Sequence, residues 1–329
     1  MEFDVLTPLG LSDDSQIGTP KTLIQLPAYA LDGRVLEWNA DFTAVRFDST
    51  DHEYHSDTNA VSASALKIMD RSPAHLQADR IRRRNNPNSG NTAAMAFGTA
   101  VHAAVLENSQ FANKYALYKG TVTKATRNTN AFKEFCTSIG DKRAILKDEV
   151  IAVTAAAKNM LSTVVVKTER QQFTMSDLVT LGVPERNYYW IDALTGLTCK
   201  ARMDLTIENI VIDVKTALDA RKERFMYDAG KLGYHLQAAF YISGYSMFYG
   251  VGKPIIMVFA VVENQAPYAT KVYQADKDAF WGAGQKRVRE LLGMYKKCID
   301  TNVWAGYSTE TELLKLPMSK LYGNQTFNY

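Results

Sequence analysis

The chain of 329 residues is 46% hydrophobic and 22% charged, a composition that excludes disordered, collagen-like and fibrous proteins. No run of eighteen apolar residues is present, and the start, MEFDVLTPLG, lacks the basic and then apolar pattern of a secretory leader, so no membrane partner and a cytoplasmic location are expected. A net charge of +3 does not by itself mark a nucleic-acid binder, and three dispersed cysteines, Cys136, Cys199 and Cys298, make neither a disulfide framework nor a CxxC metal site.

Residues 1–53 show little periodicity and read as a variable arm, with short strands predicted at Thr22–Leu26 and Val35–Asn39. Order improves at Val61. Ser62 or Ser64 can cap a short helix through Met69, and Ser72-Pro73 predicts a second helix to about Arg84. The stretch 85–91, NNPNSGN, breaks it, and a third helix is predicted over Thr92–Glu107. Lys147–Thr168 is predicted helical. From Tyr188 the period changes to two, with predicted strands at Tyr188–Asp192, Leu197–Thr206 and Ile210–Lys215. A helix over Tyr234–Tyr249, strands at Ile255–Val262 and Tyr268–Tyr273, and a helix over Asp276–Ile299 complete the series. Strands flanked by long helices predict an α/β fold, a mixed central β-sheet covered by helices.

Strand geometry concentrates the chemistry between Arg202 and Thr216. With Glu208-Asn209 as a two-residue turn, Asp204 faces Asp213; with Ile207-Glu208, Arg202 faces Asp213 and Asp204 lies one diagonal step away. Either register puts Asp204, Asp213 and Lys215 on one face and Met203, Leu205, Ile212 and Val214 on an apolar one. Two carboxylates roughly 5–8 Å apart on neighbouring strands repel unless a cation sits between them, and hard oxygen ligands suit Mg²⁺ or Mn²⁺. The competing reading is a surface ladder of Asp and Lys.

Asp204 followed by Asp213-Val214-Lys215 resembles the PD-(D/E)XK nuclease core, and Gln237-Ala-Ala-Phe-Tyr241 is similar to the QxxxY motif of its recombination-exonuclease branch. Val61-Ser-Ala-Ser-Ala-Leu-Lys67, Ser72-Pro-Ala-His75 and Ala96–Glu107 resemble the upstream signature of RecE-type exonucleases (exonuclease VIII-like). The resemblance implies an exonuclease domain over 54–329. In it His102, Asp204, Asp213 and the Val214 carbonyl hold one or two Mg²⁺, with Mn²⁺ as a substitute. Lys215 is the catalytic lysine, Glu185 an acidic residue near the site, and Gln237 and Tyr241 its supports. Ser62 and Ser64 are expected near a terminal phosphate. Arg80, Arg82, Arg83, Arg84 and Arg202 are expected to meet DNA.

The implied activity is Mg²⁺-dependent 5′→3′ digestion of one strand of linear double-stranded DNA, leaving 3′ tails for recombination through a RecT-like single-strand annealing protein. A ring-shaped homo-oligomer in a bacterial or phage setting is implied as well. Three cysteines cannot ligate the iron–sulfur cluster of one branch of these nucleases, and no GxxxxGK[ST] motif is present, so no nucleotide is expected. The alternatives are a structure- or sequence-specific endonuclease on the same core and a catalytically inactive DNA-binding recombination protein.

Overall fold

The computed structural model describes residues 36–37, 44–45, 51–85, 92–123, 125–168, 171–250 and 254–314. The chain opens with β1 (Leu36–Glu37), β2 (Ala44–Val45), α1 (Asp51–Ser56) and β3 (Val61–Ser62). Then follow α2 (Ala63–Arg71), α3 (Pro73–Asn85), α4 (Ala93–Leu106), α5 (Phe111–Lys114), β4 (Tyr115–Leu117), α6 (Asn130–Ser138) and β5 (Arg143–Ile145). The middle of the chain is α7 (Lys147–Ser162), β6 (Val164–Lys167), β7 (Gln172–Thr174), α8 (Met175–Leu181), β8 (Val183–Ile191), β9 (Thr198–Ile207) and β10 (Ile210–Ala217). The last elements are α9 (Lys222–Lys231), α10 (Tyr234–Tyr249), β11 (Ile256–Glu263), β12 (Thr270–Gln274) and α11 (Ala283–Thr301).

Local chemistry explains most of these boundaries. Ser62 accepts the Ala65 N–H at 3.2 Å and caps α2, while Thr92 accepts the Met95 N–H at 3.2 Å and caps α4. The helix predicted over Lys147–Thr168 stops at Ser162, because the β-branched run Val164-Val165-Val166 favours an extended strand and pairs with β7. The helix predicted from Asp276 begins as a π-helix over Lys277–Gly282 and becomes α11 only at Ala283. The predicted strand at Thr22–Leu26 lies outside the described residues, whereas β1 and β2 pair antiparallel.

The central sheet has six strands in the order β12-β11-β10-β9-β3, with β8 on β9 as well. Strand β8 pairs with β9 along Thr198–Thr206, so β10 and β3 share the other edge of β9. Strand β10 takes Leu205–Ile207 and β3 takes Cys199–Lys200. The edge therefore forks around Asp204. The β10–β11 pair is parallel, which makes the sheet mixed.

Helices cover both faces. On one side α2, α10 and α11 pack on Tyr188, Trp190, Met203, Val211, Met257 and Phe259. On the other α4, α7 and α8 pack on Leu205, Ile212, Val214, Val258 and Ala260. A Cβ on Gly244 of α10 would stand 2.5 Å from the Trp190 ring, so only glycine lets this helix lie so close to β8.

This layering corrects the expected apolar face. Met203 packs with the α10 layer, but Leu205, Ile212 and Val214 pack with the α4 layer. Strict alternation along β9 is interrupted at Asp204, where the strand changes edge partner. The carboxylates are buried, against the surface-ladder reading: Asp213 is 1% exposed and Asp204 9%.

Candidate active site

The Glu208-Asn209 turn sets the hairpin. Ile207 pairs with Ile210 and Leu205 with Ile212, so the next opposed positions are Asp204 and Asp213. The recorded ladder stops there. In place of a backbone acceptor, Asp204 Oδ2 takes the Val214 N–H at 2.7 Å. Across β9, Glu185 is flanked by the pairs Pro184–Leu205 and Arg186–Met203 and has φ 50°. A left-handed backbone at a non-glycine residue is strained and is typically held in place by the surrounding structure. Two neighbouring strands thus depart from regular geometry at the level of two carboxylates. Glu185 lies within β8 rather than in a loop, and its Oε2 accepts the Arg202 Nε–H at 2.6 Å.

Helix α4 brings in His102, whose Nδ1 lies 3.5 Å from Asp204 Oδ2. Gly98, one turn earlier, explains the close approach: a Cβ there would stand 3.0 Å from Thr216 Oγ1 on β10. Gly98→Ala is expected to forfeit the roughly 1 kcal/mol that alanine ordinarily gains over glycine within a helix, because its Cβ crowds Thr216 Oγ1, read as a thermal midpoint no higher than that of the unaltered protein. Thr216→Ala, which removes the opposing hydroxyl, should recover most of that loss.

One donor atom each from His102, Glu185 and Asp204 lies within 4.8 Å of the other two. Asp213 stands beside this group. Its Oδ1 accepts the Gln237 Nε2–H at 2.8 Å, while its buried Oδ2 faces the Lys215 ammonium in an ion pair but has no hydrogen bond of good geometry. Burial pushes the Asp204 carboxyl up to about 7; His102 opposes the shift, and Asp213 and Glu185 reinforce it. A desolvated carboxylate with a second carboxylate and an imidazole beside it fits a divalent cation that takes oxygen ligands and one nitrogen.

Lys215 is held on three sides. Burial works against its charge, but Asp213, then Asp204 and Tyr234, outweigh that penalty and leave its pKa raised. Its ammonium also lies 4.9 Å from the centroid of the Tyr234 ring. Gln237 and Tyr241 come from α10 one turn apart. Tyr241 donates its hydroxyl to the Arg202 carbonyl at 3.1 Å and is kept neutral by burial and by Asp213, its pKa well above the usual range. Both residues therefore face the site from inside the fold.

The structure gathers His102, Glu185, Arg202, Asp204, Asp213, Val214, Lys215, Gln237 and Tyr241 at one fork. It places the other expected DNA contacts differently. Arg80 is turned inward, donating to the Thr58 carbonyl at 2.7 Å and to the Tyr295 hydroxyl, and lying over the Tyr295 and Trp304 rings. That makes it a structural tie rather than a surface cation. Arg82 and Arg83 both pair with Asp79 at 2.6 Å on their own helix, and Arg84 is exposed. Ser62 caps α2 by accepting a backbone N–H, and with Ser64 and Arg83 it lines a separate hollow of about 160 Å³.

Two residues at the site carry no role in the sequence reading. Tyr234 lies under the Lys215 ammonium, and Lys67 donates from α2 to Gln237 Oε1 at 2.8 Å. Lys67 closes the upstream motif Val61–Lys67, which was the available signal. Burial and then Lys215 lower its pKa to about 8, against the pull of Asp213.

Among the described residues no helix is long and apolar enough to cross a membrane. No curated protein matches the chain significantly. A crystal structure from Eubacterium rectale, described as a putative exonuclease, is similar in fold. It aligns with a TM-score of 0.50 at 14% identity, over 84% of this chain and 99% of that one. Residues 62–317 match the family model for a PDDEXK-like domain of unknown function (DUF3799), a span that holds both carboxylate strands, His102 and the Gln237–Tyr241 helix. With that match over most of its length, and with a mixed sheet that forks at Asp204, this chain belongs to the PDDEXK-like family DUF3799.

Proposed function

We propose that this protein is a divalent-metal-dependent DNA exonuclease. The observation that carries the reading is the juxtaposition of two chemistries at one fork: a compact His102–Glu185–Asp204 donor group and a buried Asp213–Lys215 pair beside it. A structural ion-pair ladder would not set a desolvated second carboxylate, with an imidazole and a third carboxylate beside it, next to that pair.

His102, Glu185, Asp204 and Asp213 would hold Mg²⁺ or Mn²⁺, which supplies Lewis-acid stabilisation of phosphate charge and a more acidic water. The chain's own residues do the rest. In the metal-free site Asp213 and Asp204 hold Lys215 as a cation, a charge suited to one developing on a phosphate oxygen. Tyr234 and Asp213 keep it in place. Gln237 fixes the orientation of Asp213, and Arg202 neutralises part of the Glu185 charge. Tyr241 braces the β9 backbone at Arg202, next to the break in alternation.

The finer reading is 5′→3′ digestion of linear duplex DNA within a ring-shaped oligomer, with 3′ tails passed to a RecT-like annealing protein. It rests on the order and spacing of the RecE-like motifs around this site. Ser62, Ser64 and Arg83, which line one hollow, are the residues we assign to an end phosphate. End-labelled linear duplex and covalently closed circular duplex separate the possibilities. We expect the linear molecule to lose a 5′ label at once and a 3′ label late, and the circle to stay intact. Nicking or linearisation of the circle would support the endonuclease alternative, and early release of the 3′ label would reverse the polarity.

A further inference from the structure

Lys67 lies on the border between the carboxylate site and a second concavity. Its ammonium donates to Gln237 Oε1 at 2.8 Å, and Gln237 in turn donates to Asp213 Oδ1 at 2.8 Å. The same ammonium lies 5.1 Å from the Tyr234 ring centroid, the ring that also holds Lys215 at 4.9 Å. The two ammonium groups are therefore at most about 10 Å apart. That bound puts both ammonium groups within about three nucleotides of one strand, at a rise of about 3.4 Å per nucleotide.

On its other side Lys67 lines a hollow of about 440 Å³ with Arg71, His75, Asp79 and Arg82. Arg71 is oriented by Nε donation to the Tyr307 hydroxyl at 3.0 Å, and the His75 ring by a 2.6 Å contact with Ser72 Oγ. Asp79, the acid in this wall, is already committed to Arg82 and Arg83. The hollow is thus basic, and its cations are pre-oriented from behind. Only one of the three Lys67 ammonium N–H groups has a hydrogen-bond partner among the described residues.

We propose that this hollow is a second phosphate subsite, which takes a backbone phosphate of the DNA strand, and that Lys67 binds that phosphate while holding Gln237 against Asp213. The proposal rests on the nuclease reading above. It adds a place for a phosphate other than the one being cleaved, on the face of α2 and α3 that carries Lys67 and Arg71. The link through Gln237 joins occupancy of this subsite to the carboxylate that pairs with Lys215.

Binding of a labelled linear duplex in Ca²⁺ across a salt series tests it, with Lys67→Gln and Arg71→Ala compared with the unaltered protein. Each substitution removes one phosphate contact, so the slope of log K against log salt should flatten by about 1 and affinity should fall about eightfold at 0.1 M salt. Gln at 67 keeps a donor for Gln237 Oε1. Arg71→Ala alters an exposed side chain, so it carries the test if Lys67→Gln does not fold. Unaltered protein that binds and cuts DNA, with folded variants that keep its slope and affinity within twofold, overturns the subsite alone. Unaltered protein that neither binds nor cuts linear duplex in any divalent cation overturns the nuclease reading beneath it.

Discussion

Lys215→Met is expected to lower single-turnover cleavage of linear duplex in Mg²⁺ by about 10²–10³-fold, the range typical of removing a pre-organised charge from a water-poor site. The ammonium is positioned by Asp213 and Tyr234 before any substrate arrives. DNA affinity in Ca²⁺ should change little by comparison. The fold should pay as well: Asp213 keeps Gln237 but loses its cation, and breaking a buried ion pair in this way costs about 3–5 kcal/mol. Asp213, crowded by Asp204, is compensated by Lys215, so the pair is a structural element as well as a reactive one. Lys215→Arg should not restore activity, because a planar fork replaces a compact ammonium over the Tyr234 ring. Wild-type cleavage at saturating DNA, combined with a salt slope flattened by about 1, would reduce Lys215 to a phosphate contact.

Asp204→Asn should separate stability from activity. The folded carboxyl is raised to about 7 from an ordinary value of 3.8, mainly by burial. Between those two pH values the folded protein holds a proton that the unfolded chain has released, so stability falls as pH rises through this window. The deficit is complete above about pH 7. Asparagine can still accept the Val214 N–H and carries no charge to desolvate. The metal-free variant should therefore have a higher thermal midpoint than the unaltered protein at pH 8, and the difference should vanish near pH 4. Added Mn²⁺ should raise the midpoint of the unaltered protein and leave that of the variant almost unmoved. Cleavage should fall about 10³-fold, equivalent to roughly 4 kcal/mol of lost charge stabilisation. A variant that is less stable at pH 8, with its metal response intact, would make Asp204 a structural acceptor for Val214 and nothing more.

Much of this site was legible in the residues. Period-two alternation with a two-residue turn leaves two registers, one of which sets Asp204 opposite Asp213 as the structure has it, and Ser62 is one of the two serines offered as the cap of α2. What alternation could not reveal is that β9 changes edge partner, since Val61, which pairs with Cys199, lies far upstream in the sequence and cannot be read from a local pattern. The side-chain layers of Met203 and Leu205 were misassigned for that reason, and the burial of the carboxylates follows from tertiary packing that a local pattern does not show. Arg80 shows the same limit in another form. A run of basic residues looks solvated until tertiary packing puts Tyr295 and Trp304 against one of them. Lys67 was visible inside a motif, but its role depends on α2 meeting α10, a contact made across 170 positions of sequence.

The central claim is that the fork at Asp204 binds a divalent cation and hydrolyses DNA with it. Digestion of an end-labelled linear duplex by the purified chain, started with Mg²⁺ and stopped with EDTA, tests this most directly when run beside Asp204→Asn and Asp213→Asn. The account predicts progressive release of nucleotides that needs the cation, resumes when Mg²⁺ is restored in excess over EDTA, and is lost in both variants. Absence of cation-dependent hydrolysis on linear duplex, or hydrolysis undiminished in the two folded variants, would contradict it.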